Sequence, residues 1–309
     1  MKKLLAALLA VILLCGCCSG CLARDNRKFY TFTDDLGRTV TVREPEKVAA
    51  LLGSFAEVWH LAGGTLLAAS DDAFQDFDLP LTNQSVNLGS TKRLSLALLL
   101  QLQPDFVIAS ANSVQHLQWK DTLEKENIPV AYFDVNTFED YLRMLKICTN
   151  ITGCADRYET YGTSQQTGID AVRGRIPQAQ GPSVLVLRAS AGTIRAKTSD
   201  SMVLSVMLKD LGCVNVADTP GAFVNYDDVT MDDIVKLDPD FIFAVQAGDD
   251  EIGMQETLHN VLGSDPRWKT LTAVKNDRAH LVERELFHFK PNSRWAQAYE
   301  TLAGYIFGA

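Results

Sequence analysis

Positive charge is in short supply in this chain of 309 residues: 29 lysines and arginines stand against 38 acids, a net charge of −9. Proteins that hold nucleic acid need basic stripes to displace counterions from phosphates, so that class of partner is excluded. Histidine is scarce as well, with His60, His116, His259, His280 and His288 scattered along the chain. A carrier of bare metal ions needs three or four His or carboxylate ligands converging, and that dispersal argues against one. There is no Gly-x-Ser-x-Gly elbow, no Walker loop, no His-Glu-x-x-His, and no Gly-x-Gly-x-x-Gly after a strand, so the common enzymatic constellations are missing. Adjacent acids such as Asp71-Asp72, Asp227-Asp228 and Asp232-Asp233 do not face one site together in regular structure; they read as turns or docking surface.

The N-terminal apolar run, Leu4 to Leu14, is too short to cross a bilayer and follows Met1-Lys2-Lys3, the pattern of a signal peptide. Leu14-Cys15-Gly16-Cys17 resembles a bacterial lipobox, which implies lipid attachment at Cys17, with Cys21 as the alternative. Four of seven cysteines sit in this leader, leaving Cys148, Cys154 and Cys213. Export permits a Cys148–Cys154 bridge; the helix-like surroundings equally suit two small buried hydrophobes.

What is present is a repeated phrase. Leu102-Gln-Pro-Asp-Phe-Val-Ile-Ala-Ser110 returns 135 residues later as Leu237-Asp-Pro-Asp-Phe-Ile-Phe-Ala-Val245. Each copy ends a leucine-bearing helical run at a proline and enters an unbroken apolar run, the signature of a parallel strand buried on both faces. The spacing of one domain length predicts two α/β lobes. Before the first copy, Phe29 to Val42 alternates around Asp34-Asp35-Leu36-Gly37 and predicts a hairpin; Val48–Leu52, Leu66–Ala69 and Ile128–Phe133 predict strands, and Phe138–Ile147 a helix. Helical character from Asp156 to Ile176, interrupted by Gly162, Gly168 and Gly174, precedes a second set: strand 183–188, helix 202–211, strand 241–246, a late strand ending near Val282 and a closing helix 293–307.

Asp34-Asp35-Leu36-Gly37-Arg38-Thr39-Val40-Thr41-Val42, Lys47-Val48-Ala49-Ala50-Leu51, Gly89-Ser90 and the first nonapeptide together resemble the substrate-binding lipoproteins of ABC importers for ferric siderophores, haem and cobalamin. The resemblance covers about residues 30–307 and implies two Rossmann-like lobes of mostly parallel strands bridged by one long α-helix. Its boundaries are a signal peptide and lipobox (1–17), a tether (18–28), an N-terminal lobe (29–150), the bridge (151–177) and a C-terminal lobe (178–309). It implies a monomer that is not an enzyme and has no intrinsic cofactor, carries an iron complex between its lobes, and delivers it to a permease and its ATPase. A degenerate exported metal-dependent hydrolase is the alternative from another class. The family also implies a docking acid seven positions before the proline of each nonapeptide; Asp232 fills that place in the second lobe, but Ala97 stands in the first, leaving Glu57 as a substitute.

Open parallel sheets bind ligands beyond the carboxyl ends of their strands. The candidates are therefore Ser54, Phe55 and Trp59, Phe74, Ser90, Lys92 and Arg93, Ser110 and Asn112 in the first lobe. In the second they are Arg188, Arg195, Phe223, Gln246, Phe287, His288 and Lys290. Guanidinium groups among aromatics suit a bulky or flat anion. If the cargo is haem, His288 is the candidate axial ligand, with Met202 as partner.

Overall fold

The computed structural model describes residues 28–177 and 180–308. The signal peptide, Cys17, Cys21 and all of the tether except Lys28 lie outside the described residues. Among the described residues no helix is long and apolar enough to cross a membrane.

The chain starts with an antiparallel hairpin, β1 (Phe29–Thr33) and β2 (Thr39–Arg43). Phe32, Val40 and Val42 point inward while their neighbours face water, the alternation of a half-buried pair. Asp34 holds the turn by accepting from the amides of Leu36 and Arg38. The first lobe is a parallel sheet of β3 (Val48–Ala50), β4 (Ala68–Ala69), β5 (Val86–Asn87), β6 (Phe106–Ser110) and β7 (Val130–Phe133), in the order β5-β4-β3-β6-β7. Strands β3, β6 and β7 are buried throughout, which is why their sequences are apolar runs rather than alternations.

The second lobe repeats the plan with β8 (Ser183–Ser190), β10 (Val214–Asn215), β11 (Phe241–Gln246) and β12 (Ala279–Val282) in the order β10-β8-β11-β12. Three strands were not anticipated from the sequence: the two-residue β5 and β10, and β9 (Thr193–Lys197), which folds back antiparallel on β8, turning at Gly192 with φ 84°. The pattern of exposed and buried residues in β9 is that of an edge strand, short enough to be read as loop.

Helical backbone runs without a break through Ala155–Tyr158, a π-helical turn at Glu159–Thr163, and Ser164–Arg173. The glycines expected to weaken this stretch mark close approaches instead. A side chain at Gly162 would stand 3.0 Å from Leu142, and one at Gly168 would stand 2.5 Å from the Cβ of Ala296. The start of the bridge packs on the first-lobe helix Phe138–Thr152 and its end on the closing helix Trp295–Phe307. The closing helix, read as part of the second lobe, sends Trp295 against Phe138 and Tyr141, so one apolar core continues across both lobes. Cys148 and Cys213 are buried free thiols and Cys154 is a half-buried one, so the bridge between Cys148 and Cys154 is not formed. Burial pushes the Cys148 thiol above its usual range and that of Cys213 up to about 12.

Candidate functional site: a polar cleft between the lobes

The carboxyl ends of the strands open onto a cavity of about 540 Å³ with walls from both lobes. The first lobe contributes Asp71, Asp72, Gln75 and Asp76 from the exit of β4 and Ser90, Thr91 and Lys92 from the exit of β5. The second contributes Arg188 and Ser190 on β8, Thr193 and Arg195 on β9, Ala247 to Asp249 after β11, and Arg284, His288 and Phe289 after β12. The two walls carry opposite charge: acids dominate the first, guanidinium groups the second.

The hairpin of β8 and β9 sets the basic wall. Arg188 and Arg195 are directly opposite in its register, so both side chains leave the same face of the ribbon. Arg195 lies 3.2 Å from Asp227 in an exposed pair. Among the described residues Arg188 has no acidic partner within ion-pair distance, and burial together with Arg195 holds its guanidinium below its ordinary pKa. His288 is pushed down to about 3 by burial and by the charges of Arg188, Arg284 and Lys290, so its ring is neutral at physiological pH.

The acidic wall is largely engaged in structure. Asp72 accepts from Ser70 Oγ and from the amides of Gly53 and Ala73, fixing the start of the helix Gly53–Leu61. Gly53 is obligatory there, because a Cβ would lie 2.7 Å from the ring of Phe77. Burial raises the pKa values of both Asp72 and Asp76. Contacts cross the floor of the cleft: Phe77 meets Phe289 at 5.4 Å between ring centres, Arg284 reaches Asp76, and Lys290 donates to Asn136 at 3.4 Å.

Of the residues named from sequence, Ser90, Lys92, Arg188, Arg195 and His288 line this cavity. The aromatic ones do not. Phe55, Trp59, Phe223 and Phe287 are core residues, and Phe74 packs partly buried against the same core. The cause is local: the strand exits pass directly into short helices whose apolar faces turn back onto the sheet, so an aromatic there fills the core rather than the cleft. Ser54 is buried and its carbonyl accepts from Asn292. Ser110 and Asn112 close the turn after β6, with Asn112 donating to Asp134. Arg93 is exposed outside the cavity, and Gln246 donates to the carbonyl of Gly248. Lys290 sits at the lobe junction, where burial lowers it to about 8. Met202 is buried in the core and is not brought to His288 in the cleft.

Glu57 is corrected as a docking acid. Its carboxylate turns inward and accepts from Asn292 Nδ2 at 2.6 Å, and burial raises its pKa. Asp232 and Ala97 occupy the same place, the second residue of helices Met231–Leu237 and Leu96–Leu102, and both are exposed. Sequence reading missed Arg284, Asp249 and Thr193, and it set aside the adjacent Asp71 and Asp72, which both line the cavity. Arg284 and Asp249 stand two and three residues past strand ends and obey the exit rule already in use; Thr193 depended on the unpredicted β9.

Two α/β lobes, a bridging helix and a polar cleft at the strand exits define a two-lobe binding protein, built to hold a solute between its halves. A family model described as periplasmic binding protein matches residues 48–282, and the chain belongs to that family. Among its relatives is the Fe(3+)-citrate-binding protein YfmC of Bacillus subtilis, 24% identical, covering 92% of this chain and 90% of that protein. The putative ABC transporter substrate-binding lipoprotein YhfQ of the same organism is 25% identical over 96% of each. Solved structures with the same fold include IsdE of S. aureus complexed with heme, with TM-score 0.69 and 13% identity over 84% of this chain and 98% of that one. Staphylococcus aureus SirA complexed with staphyloferrin B matches with TM-score 0.66 and 18% identity over 89% and 96%. The hydrolase alternative finds no support among these relatives.

Proposed function

We propose that this protein is the extracytoplasmic, lipid-anchored substrate-binding component of an ABC importer, and that it captures an anionic ferric chelate of the siderophore type for delivery to a permease. One observation carries the reading: Arg188 and Arg195 lie side by side on the cleft wall, and among the described residues Arg188 has no acid to satisfy it. A desolvated guanidinium without a counterion is a ready fork for carboxylate or hydroxycarboxylate oxygen. The hydroxyl-bearing Ser90, Thr91, Ser190 and Thr193 around it add donors for oxygen-rich cargo. The named cargo of YfmC, and the complex formed by SirA, agree with that chemistry. Asp232, exposed at the start of its helix and paired there with Arg267, is the docking acid of the second lobe.

Haem is the second reading, favoured by the neutral imidazole of His288 at the cavity wall. Against it, Phe289 is the one aromatic residue lining the cavity among those described, which leaves little apolar surface for a porphyrin.

Calorimetric titration with ferric citrate, ferric catecholates, ferric hydroxamates, haem and cobalamin tests the proposal. An anionic chelate should bind, and Arg188→Met should weaken it by about 1.5–3 kcal/mol, the worth of a charge-assisted hydrogen bond. Haem binding whose absorption spectrum depends on His288 would replace this cargo, and binding of none of the five would sink the transport role. Anchoring is tested separately: labelled palmitate should follow the wild type and be lost in Cys17→Ser, whereas loss only in Cys21→Ser reassigns the lipidated residue.

A further inference from the structure

Three arginines face the cleft from the second lobe, yet they are not equivalent. Among the described residues Arg188 has no ion-pair partner, Arg195 is paired in the open, and Arg284 is held in a shielded cage. The Arg284 guanidinium lies 3.4 Å from Asp76 on the opposite lobe, and neither side chain is much exposed, 16% and 20%. It also donates to the carbonyl of Gly248 at 3.2 Å and rests 4.6 Å over the ring of Phe289. Its contact with Asp249 at 3.1 Å is of another kind, because Asp249 is 82% exposed and screened by water. Even so the cage is incomplete: Arg284 Nε is buried without a hydrogen-bond partner among the described residues. A buried donor left unpaired at a cavity wall has something to gain from an incoming anion.

We infer that Asp76 is a specificity-determining residue that sets how much negative charge the cleft accepts, by holding Arg284 as its own counterion and keeping that guanidinium from the cargo. The inference rests on the anionic-chelate reading of the same cavity. Asp76 is not required to hold the lobes together, since Trp295 in the first-lobe core, the Asn292 contacts to Ser54 and Glu57, and the Phe77–Phe289 pair remain without it. Removing its charge while keeping its shape therefore leaves the cleft standing and releases one guanidinium into it. Wild-type protein thus admits cargo matched to Arg188 and Arg195, and excludes more heavily charged anions that need a third arginine.

The test is a double-mutant cycle read by calorimetry with three probes: ferric citrate, metal-free citrate and a neutral ferric trihydroxamate. Asp76→Asn should tighten both citrate probes about tenfold, the worth of one charge-assisted hydrogen bond at a partly shielded site, and change the neutral probe less than twofold. The gain should vanish in the double variant Asp76→Asn, Arg284→Gln. If it persists there, Asp76 acts only by repelling anions and the inference fails; no gain with either citrate probe also overturns it. Asp76→Ser supplies a second replacement should the amide distort the loop, with circular dichroism and melting checking the fold. Wild-type protein that binds no ferric chelate refutes the proposed function, whereas the metal-free citrate arm still decides the role of Asp76.

Discussion

The two copies of the nonapeptide stay alike, whereas the two walls of the cleft diverge. In the copies the sequence is shared and so is the work. Gln103 and Asp238 end their helices in the left-handed region, at φ 49° and 36°, and the proline follows. Asp105 then accepts from the amides of Glu46 and Lys47, just ahead of β3, and Asp240 accepts from the amide and hydroxyl of Ser183, which opens β8. Each aspartate thereby pins the start of the strand beside its own, and the registers match, Val48 with Phe106 and Val184 with Phe241. At the carboxyl ends of the two sheets likeness stops, with acids from the exit of β4 in the first lobe facing arginines from the second. The repeated words build the lobes, and the selectivity lies where the repeats differ.

If the lobes are duplicate units locked into one body, the lock is where the comparison breaks most visibly. Trp295→Ala removes a fully buried ring from the core that continues across both lobes, and should cost about 3–5 kcal/mol. Urea unfolding should then separate from one transition into two, because the remaining cores are the lobes' own. A loss under about 1 kcal/mol with a single transition would mean that the bridging helix alone couples them.

The duplicated strand clamps are expected to be alike in kind and unequal in size. Asp105→Ala and Asp240→Ala should each destabilise by about 1–3 kcal/mol, since each strands backbone donors at the start of a central strand. Asp240→Ala should lie at the upper end, because the Ser183 hydroxyl, which accepts from the Asp240 amide, also donates to the Asp240 carboxylate and loses that partner. Equal and negligible losses, measured by urea denaturation, would reduce the shared phrase to a helix terminator.

Most of the scaffold was legible in sequence because it is written in periodicity. Both nonapeptides, the hairpin, the buried parallel strands and the closing helix follow from apolar runs punctuated by Pro, Gly and Asp. The site was less legible, since standing at a strand exit does not determine which way a side chain turns. Arg188 and Arg195 reach the cleft, while Phe55 and Phe287, chosen by the same rule, fall into the core. Charge decided the difference: a guanidinium seeks the wet side of the exit and a phenyl ring the dry one. Glu57 defied even that, because Asn292 arrives from far along the chain to receive it, and no local pattern announces such a partner.

The smallest expected effect separates two histidines that share an outcome and its main cause, burial, but not the charges around them. His116 in the first lobe is fully buried, its Nδ1 accepting from the Ser110 amide at 3.0 Å, and burial alone pushes it down to about 4. His288 in the second falls to about 3 through burial plus the fields of Arg188, Arg284 and Lys290. Both are neutral in the folded protein, whereas an unfolded chain takes up these protons near the ordinary value of 6.5. The sign follows: their contribution to stability is present above about pH 6.5 and is lost as pH falls from there toward each folded value. Arg188→Met should therefore raise the pKa of His288 and leave His116 at about 4, as followed by imidazole NMR shifts. Added salt or bound citrate should act in the same direction on His288, since each screens or neutralises the arginine field. Equal movement of the two histidines would mean that the variant loosens the whole molecule, and no movement of His288 would mean that Arg188 does not project its charge into the cleft.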